Sequence, residues 1–177
     1  MATITHKGKT IHTSGNLPAV GSRAPGFKLT RGDLSDATLG DFAGKTIILN
    51  IVPSLDTSIC ALSAKRFESE AGKLGNVAIL TVSRDLPFAQ GRFCKAEGIA
   101  AVVPLSEMRD LSFGEAYGAR IVDGLLAGLL ARAIVVIDRS GVVAYAEQVP
   151  EIGQEPDYER ALAAARAAAA KAAEARS

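Results

Sequence analysis

The 177-residue sequence has no tryptophan, two cysteines and two histidines, and only 5% of its residues are aromatic. It holds no run of about 18 apolar residues, which excludes a membrane-spanning helix. The nearest approach, "GLLAGLLARAIVVID", is broken by Arg132 and ends at Asp138. Charge is also scarce in the net: 20 basic side chains face 19 acidic ones, for a formal charge of +1. Binding to a phosphate backbone needs a clustered basic surface, so no nucleic-acid partner is expected. The N-terminal "MATITHKGKTIHTSG" lacks the apolar centre and small-residue cleavage site of a signal peptide, and a cytoplasmic location is expected.

The two cysteines, Cys60 and Cys94, do not form a CxxC motif, so neither a dithiol-reductase signature nor a zinc knuckle is present. A structural disulfide is not expected in a reducing cytosol. No haem, flavin or metal motif occurs, and no cofactor is expected. The only histidines, His6 and His12, fall in the first dozen residues, away from any segment expected to carry chemistry. That removes the base a cysteine hydrolase would use.

What is present fits a single domain over residues 1–177: 48% of residues are hydrophobic and 22% charged. Residues 1–17 contain short alternating runs around Lys7-Gly8 and read as a β-hairpin. "GNLPAVGSRAPGF" reads as a loop, and "LSDATLGDFAGK" as short strand and turn. "TIILNIV" (46–52), "VAILTVS" (77–83) and "AIVVID" (133–138) are β-branched runs that read as strands buried on both faces. Leu62, Phe67, Ala71 and Leu74 recur at helical intervals, with Gly75 as the expected stop. A second short helix is expected between Pro87 and Gly98. "RSG" turns the chain into an antiparallel "VVAYAEQ", and Pro156 is expected to open the last helix. This order describes a thioredoxin-like α/β sandwich. The alanine-rich tail, 163–177, reads as a helical extension with a solvated face whose end frays.

"PSLDTSIC" (53–60) ends in a sulfur where the first strand hands over to a helix. A helix N-terminus presents unpaired N–H groups and a partial positive charge, which favour a thiolate. Thr57, three positions earlier, shares a face with Cys60 in a first turn. Pro53 has no N–H to compete and can shield the sulfur from water. The plain alternative is a cysteine packed as an inert small hydrophobe. Arg132 is a charge at the head of an apolar strand, where burial without a partner is costly. Its partner is either the Cys60 thiolate or one of the carboxylates.

These segments resemble a family. "PSLDTSIC" fits the Pro-x-x-x-Thr-x-x-Cys pattern of the peroxiredoxins, with Leu55 and Ile59 as conservative variants. "DLPFAQGRFC", "ARAIVVID" and "EPDY" are similar to segments of the bacterial thiol peroxidases, the atypical two-cysteine branch. The resemblance runs from the hairpin to about Leu162. It implies that Cys60 is the peroxidatic cysteine and Cys94 the resolving one. Thr57 and Arg132 would hold the thiolate and the peroxide, and Pro53 would shield them. It further implies reduction of hydrogen peroxide and alkyl hydroperoxides through a sulfenic acid and a Cys60–Cys94 disulfide, thioredoxin as reductant, and a homodimer with Arg109 near the subunit contact. Joining the two cysteines requires Cα atoms within about 7 Å, so both segments are expected to rearrange on oxidation. A peroxide sensor or a thioredoxin-like binding module without turnover is the competing reading.

Overall fold

The computed structural model describes residues 1–174. Among these residues nine strands and four α-helices follow in order, with a 3₁₀ turn (Leu39–Phe42) between the fourth and fifth strands: β1 (Thr3–His6), β2 (Lys9–His12), β3 (Lys28–Thr30), β4 (Asp36–Thr38), β5 (Thr46–Ile51), α1 (Ser58–Ala71), β6 (Val77–Ser83), α2 (Pro87–Glu97), β7 (Val103–Ser106), α3 (Ser112–Ala116), β8 (Ala133–Ile137), β9 (Val143–Gln148) and α4 (Tyr158–Glu174). β1 and β2 pair by themselves, and the other seven strands form one sheet in the order β4-β3-β7-β6-β5-β8-β9. β5 runs parallel to β6 and antiparallel to β8.

The central strand is buried on both faces, as its composition requires. Ile47, Leu49 and Ile51 pack with Phe27, Phe113 and Tyr117 on one side. Ile48 and Val52 pack on the other with Cys60, Phe67, Ile134 and Leu162. Phe67 is wholly buried, and its truncation to alanine would cost about 3–5 kcal/mol. Asn50, a buried polar side chain of β5 in step with Ile48, donates to Ser63 and Thr81.

The N-terminal hairpin forms as its sequence indicates. Lys7 and Gly8 both take positive φ, 52° and 76°, as a two-residue hairpin turn requires. The hairpin does not hang free. Ile4 and Ile11 bury against Ile121, Ala131 and Ile152.

Three local expectations need correction. α1 stops at Ala71 with Gly72 as its cap, one turn before Gly75. Its buried face is Cys60, Ser63, Ala64 and Phe67, and Leu62, out of phase with that face, is half exposed. α4 begins at Tyr158 rather than at Pro156: the Asp157 carboxylate accepts the Arg160 N–H at 3.0 Å and sets the start. The tail is helical to Glu174 and keeps a solvated face, while Ala165 and Ala168 continue the buried face of Ala161 and Leu162. The expected fraying of residues 175–177 lies outside the described residues.

Candidate active site

The loop from Pro53 to Thr57 delivers the chain from β5 into α1, and Cys60 occupies the first turn of that helix, fully buried. Thr57 is the N-cap residue, yet its side chain caps no backbone N–H. Its hydroxyl lies 2.6 Å from the Cys60 Sγ and 3.1 Å from the Ser54 carbonyl oxygen. The first backbone bond of the helix runs from Ala61 N–H to the Thr57 carbonyl. Among the described residues the N–H groups of Ser58, Ile59 and Cys60, in the turn that carries the sulfur, have no acceptor outside the helix.

Arg132 lies just before β8, the strand beside β5, in step with Ile134 and Val136, which pack on the Cys60 face. It is 2% exposed. Its Nε donates to the Ile152 carbonyl at 2.8 Å, and its Nη2 donates to Cys60 Sγ at 3.3 Å. A guanidinium has no acceptor, so the sulfur must be the acceptor in this bond. The choice left open between a carboxylate and the thiolate as partner of Arg132 is thus decided for the sulfur. The remaining nitrogen, Nη1, is buried without a hydrogen-bond partner.

Arg132, Thr57 and Pro53 line one cavity of about 230 Å³ together with Leu126, Leu129 and Ile152, while Cys60 lies buried behind Arg132 and Thr57 and does not itself line it. Part of the "GLLAGLL" run is therefore pocket wall, while Leu130 goes to the core and Leu125 projects outward. His6 and Lys7, at the hairpin turn, complete the wall. This corrects the expectation that both histidines lie away from the site. Only His12 does, paired with Asp123 at 2.6 Å on the surface. His6 lines the cavity but has no hydrogen bond to Cys60 among the described residues, so it offers no base to the sulfur.

The hairpin is held against the cavity by Glu151. Its carboxylate accepts from the Thr5 hydroxyl at 2.6 Å and from the N–H groups of Lys7 and Gly8 at 3.1 and 3.2 Å. The Thr5 hydroxyl and then the Gly153 N–H, helped less by the turn N–H groups of Gly8 and Lys7, hold this carboxyl at about 2 against an opposing effect of desolvation. Glu151 carries no signal in the sequence, because its hairpin partners Thr5, Lys7 and Gly8 lie more than 140 positions away.

Cys94 lies in the last turn of α2, where its carbonyl accepts the N–H groups of Gly98 and Ile99. Both cysteines are free thiols. Burial, with the Glu68 carboxylate adding to it, pushes the Cys94 thiol up. Glu68 itself accepts the N–H groups of Ala100, Ala101 and Val102. Arg109, expected near a subunit contact, binds the Leu34 carbonyl and Asp36 within the chain.

The Redoxin family pattern matches residues 19–162. The chain belongs to the Redoxin family. It is 58% identical over 164 residues to the thiol peroxidase of Mycobacterium tuberculosis, covering 93% of this chain and 98% of that one. To the thiol peroxidase of Leptospira interrogans it is 51% identical over 170 residues, 95% and 99% of the two chains. Among solved structures, a peroxiredoxin-like protein from Aquifex aeolicus superimposes with a TM-score of 0.90 at 36% identity, over 95% of this chain and 98% of that one. Thiol peroxidase from Chromobacterium violaceum superimposes at 0.82 with 22% identity, over 90% and 93%, a likeness of fold. The thioredoxin-like sandwich read from the order of elements is thereby borne out, and the Redoxin match ends at Leu162, where the resemblance was expected to stop.

Proposed function

We propose that this chain, a Redoxin-family relative of the thiol peroxidases, reduces hydroperoxides at Cys60 and is restored by a thiol donor. The observation that carries the reading is the contact between Arg132 Nη2 and the buried Cys60 Sγ, with Nη1 still unspent and Arg132 itself lining an apolar cavity. The Cys60 thiolate attacks the terminal oxygen of a hydroperoxide; the O–O bond breaks, the alkoxide takes up a proton and leaves as alcohol or water, and a sulfenic acid remains. Negative charge spreads over two oxygens in the transition state. Arg132 Nη1, the Thr57 hydroxyl and the first-turn N–H groups are fixed donors around it, and one such donor is worth about 10²–10³ in rate. Pro53 closes the pocket without adding a competing donor.

Cys94 then condenses with the sulfenic acid, releasing water and forming a Cys60–Cys94 disulfide. A dithiol reduces that bond and becomes a disulfide itself; thioredoxin is the donor this reading assigns, in a cytoplasmic setting and with the chain as a homodimer. Burial of Cys60 and the helical position of Cys94 support a rearrangement of both segments before the sulfurs meet. The walls supplied by Leu126 and Leu129 favour organic hydroperoxides over hydrogen peroxide.

The test is a coupled assay with thioredoxin, thioredoxin reductase and NADPH, using hydrogen peroxide and cumene hydroperoxide. Sustained NADPH loss that disappears in Cys60→Ser supports the enzyme. One stoichiometric oxidation followed by silence would overturn it in favour of a sensor.

A further inference from the structure

Cys60 and Cys94 sit on different helices, yet one set of hydrogen bonds joins the segments that carry them. Its hub is Asp85, half-buried in the turn between β6 and α2. One carboxylate oxygen accepts the Ser54 hydroxyl at 2.7 Å. The other accepts the Leu55 N–H at 2.8 Å and the Ser83 hydroxyl at 2.7 Å. The Ser54 carbonyl in turn accepts the Thr57 N–H, so Asp85 holds the loop that presents Thr57 to Cys60.

On its other side the hub reaches α2. Gln90, wholly buried one turn before Cys94, donates from Nε2 to the Ser83 hydroxyl at 3.0 Å and to the Leu105 carbonyl at 2.9 Å. An amide nitrogen only donates, so the single Ser83 proton is committed to Asp85. The Asp85 carbonyl accepts the Ser106 hydroxyl at 2.6 Å, which ties the hub to β7. Hydrogen bonds to a charged acceptor are the strong ones, and all three bonds to the Asp85 carboxylate are of that kind.

Resting on the resolving role assigned above to Cys94, we propose that Asp85 is a positioning residue that latches the Cys60 loop and the Cys94 helix in the closed arrangement, so that both are released together when the disulfide forms. The closed arrangement is the one in which Cys60 meets Arg132 and reacts with peroxide. The opened one is where the sulfenic acid meets Cys94. Weakening the latch raises the opened fraction, and a fraction that starts small gains far more in relative terms than the closed one loses.

The experiment is rapid-mixing kinetics on the full chain, comparing wild type with Asp85→Asn. In the variant a neutral amide replaces the carboxylate: its oxygen can still accept from the Leu55 N–H and the Ser83 hydroxyl, but more weakly, and its nitrogen faces the Ser54 hydroxyl, which loses its charged acceptor. Disulfide formation should accelerate roughly tenfold, oxidation of Cys60 should fall by a smaller factor, and sulfinic acid per turnover at high peroxide should drop. Ser54→Ala and Gln90→Met, each removing one arm, should move the same rates in the same direction by smaller factors, and they stand in if Asp85→Asn does not fold. Disulfide formation that is unchanged or slower in these variants overturns the latch. Mass spectrometry of oxidised wild type separates the two failures: absence of the Cys60–Cys94 bond overturns the resolving assignment and the latch with it, whereas a bond that forms at rates indifferent to Asp85 overturns the latch alone.

Discussion

Arg132 and Cys60, 72 positions apart in the chain, meet at 3.3 Å through Nη2, while Nε of the same guanidinium is fixed by the Ile152 carbonyl. The side chain therefore arrives already oriented, with one nitrogen for the backbone, one for the sulfur and one unspent. A lysine ammonium carries its three donors on one nitrogen and cannot span the separate positions that Nε, Nη1 and Nη2 occupy. Arg132→Lys should lower the second-order rate of Cys60 oxidation by about 10²–10³, read by stopped-flow with hydrogen peroxide. A loss below threefold would show that the positive charge alone suffices.

Thr57 acts through its hydroxyl, placed between the Ser54 carbonyl and the sulfur. Thr57→Val keeps the shape and removes the donor, with an expected loss of about tenfold to a hundredfold in the same rate. Thr57→Ser should stay close to wild type. If the two variants behave alike, shape and not hydrogen bonding is what position 57 supplies.

Cys94 is held protonated by burial and, after it, by Glu68. A thiol raised in the folded state contributes stability that is fully present below its unfolded value and is lost as pH rises through the folded one. In Cys60→Ser protein, iodoacetamide labelling of Cys94 should therefore start at a higher pH than in a denatured chain. Glu68→Gln should bring the onset down. Because Glu68 also holds the Ala100–Val102 turn, hydrogen exchange at those amides should rise in the same variant.

Glu151 gives a prediction at acid pH. Its carboxyl is depressed to about 2 in the folded chain, so its hold on the hairpin is complete above the ordinary glutamate range, near 4.3, and fades as pH falls towards 2. The amide signals of Lys7 and Gly8 should shift across that window. Glu151→Gln should loosen the turn already at neutral pH. Since His6 and Lys7 form one wall of the cavity, the variant should raise KM for cumene hydroperoxide while leaving hydrogen peroxide nearly unaffected; an equal change for both substrates would place the hairpin's role elsewhere.

How much of this was legible in the residues varies with the range of the interaction. β5, β6 and β8 announce themselves as β-branched runs, and the Pro53–Cys60 stretch carries its chemistry within one turn. β7 does not, because four residues containing Pro104 resemble a loop. Proline is tolerated there because β3 meets β7 only at Thr30 and Ser106. The partner of Arg132 could be narrowed but not chosen, since the choice depends on where β8 lies beside β5. His6, Glu151 and Asp85 left no local signal. Each owes its place to contacts made across the whole chain, and a polar residue that will be buried looks, in sequence, like one that will be wet.

The alanine-rich helix carries a consequence of its own. Ala161, Ala165 and Ala168 face inward with Leu162, while Ala163, Ala167 and Ala170 face water. A compositional repeat thus hides two unlike kinds of site. Methyl groups on the inner row act as spacers of minimal thickness between the helix and the strands beneath it, so replacement by valine or leucine there would wedge the layers apart, whereas the outer row can drift freely. A saturation scan would print a stripe of intolerance every third or fourth residue across a segment whose letters are nearly all the same.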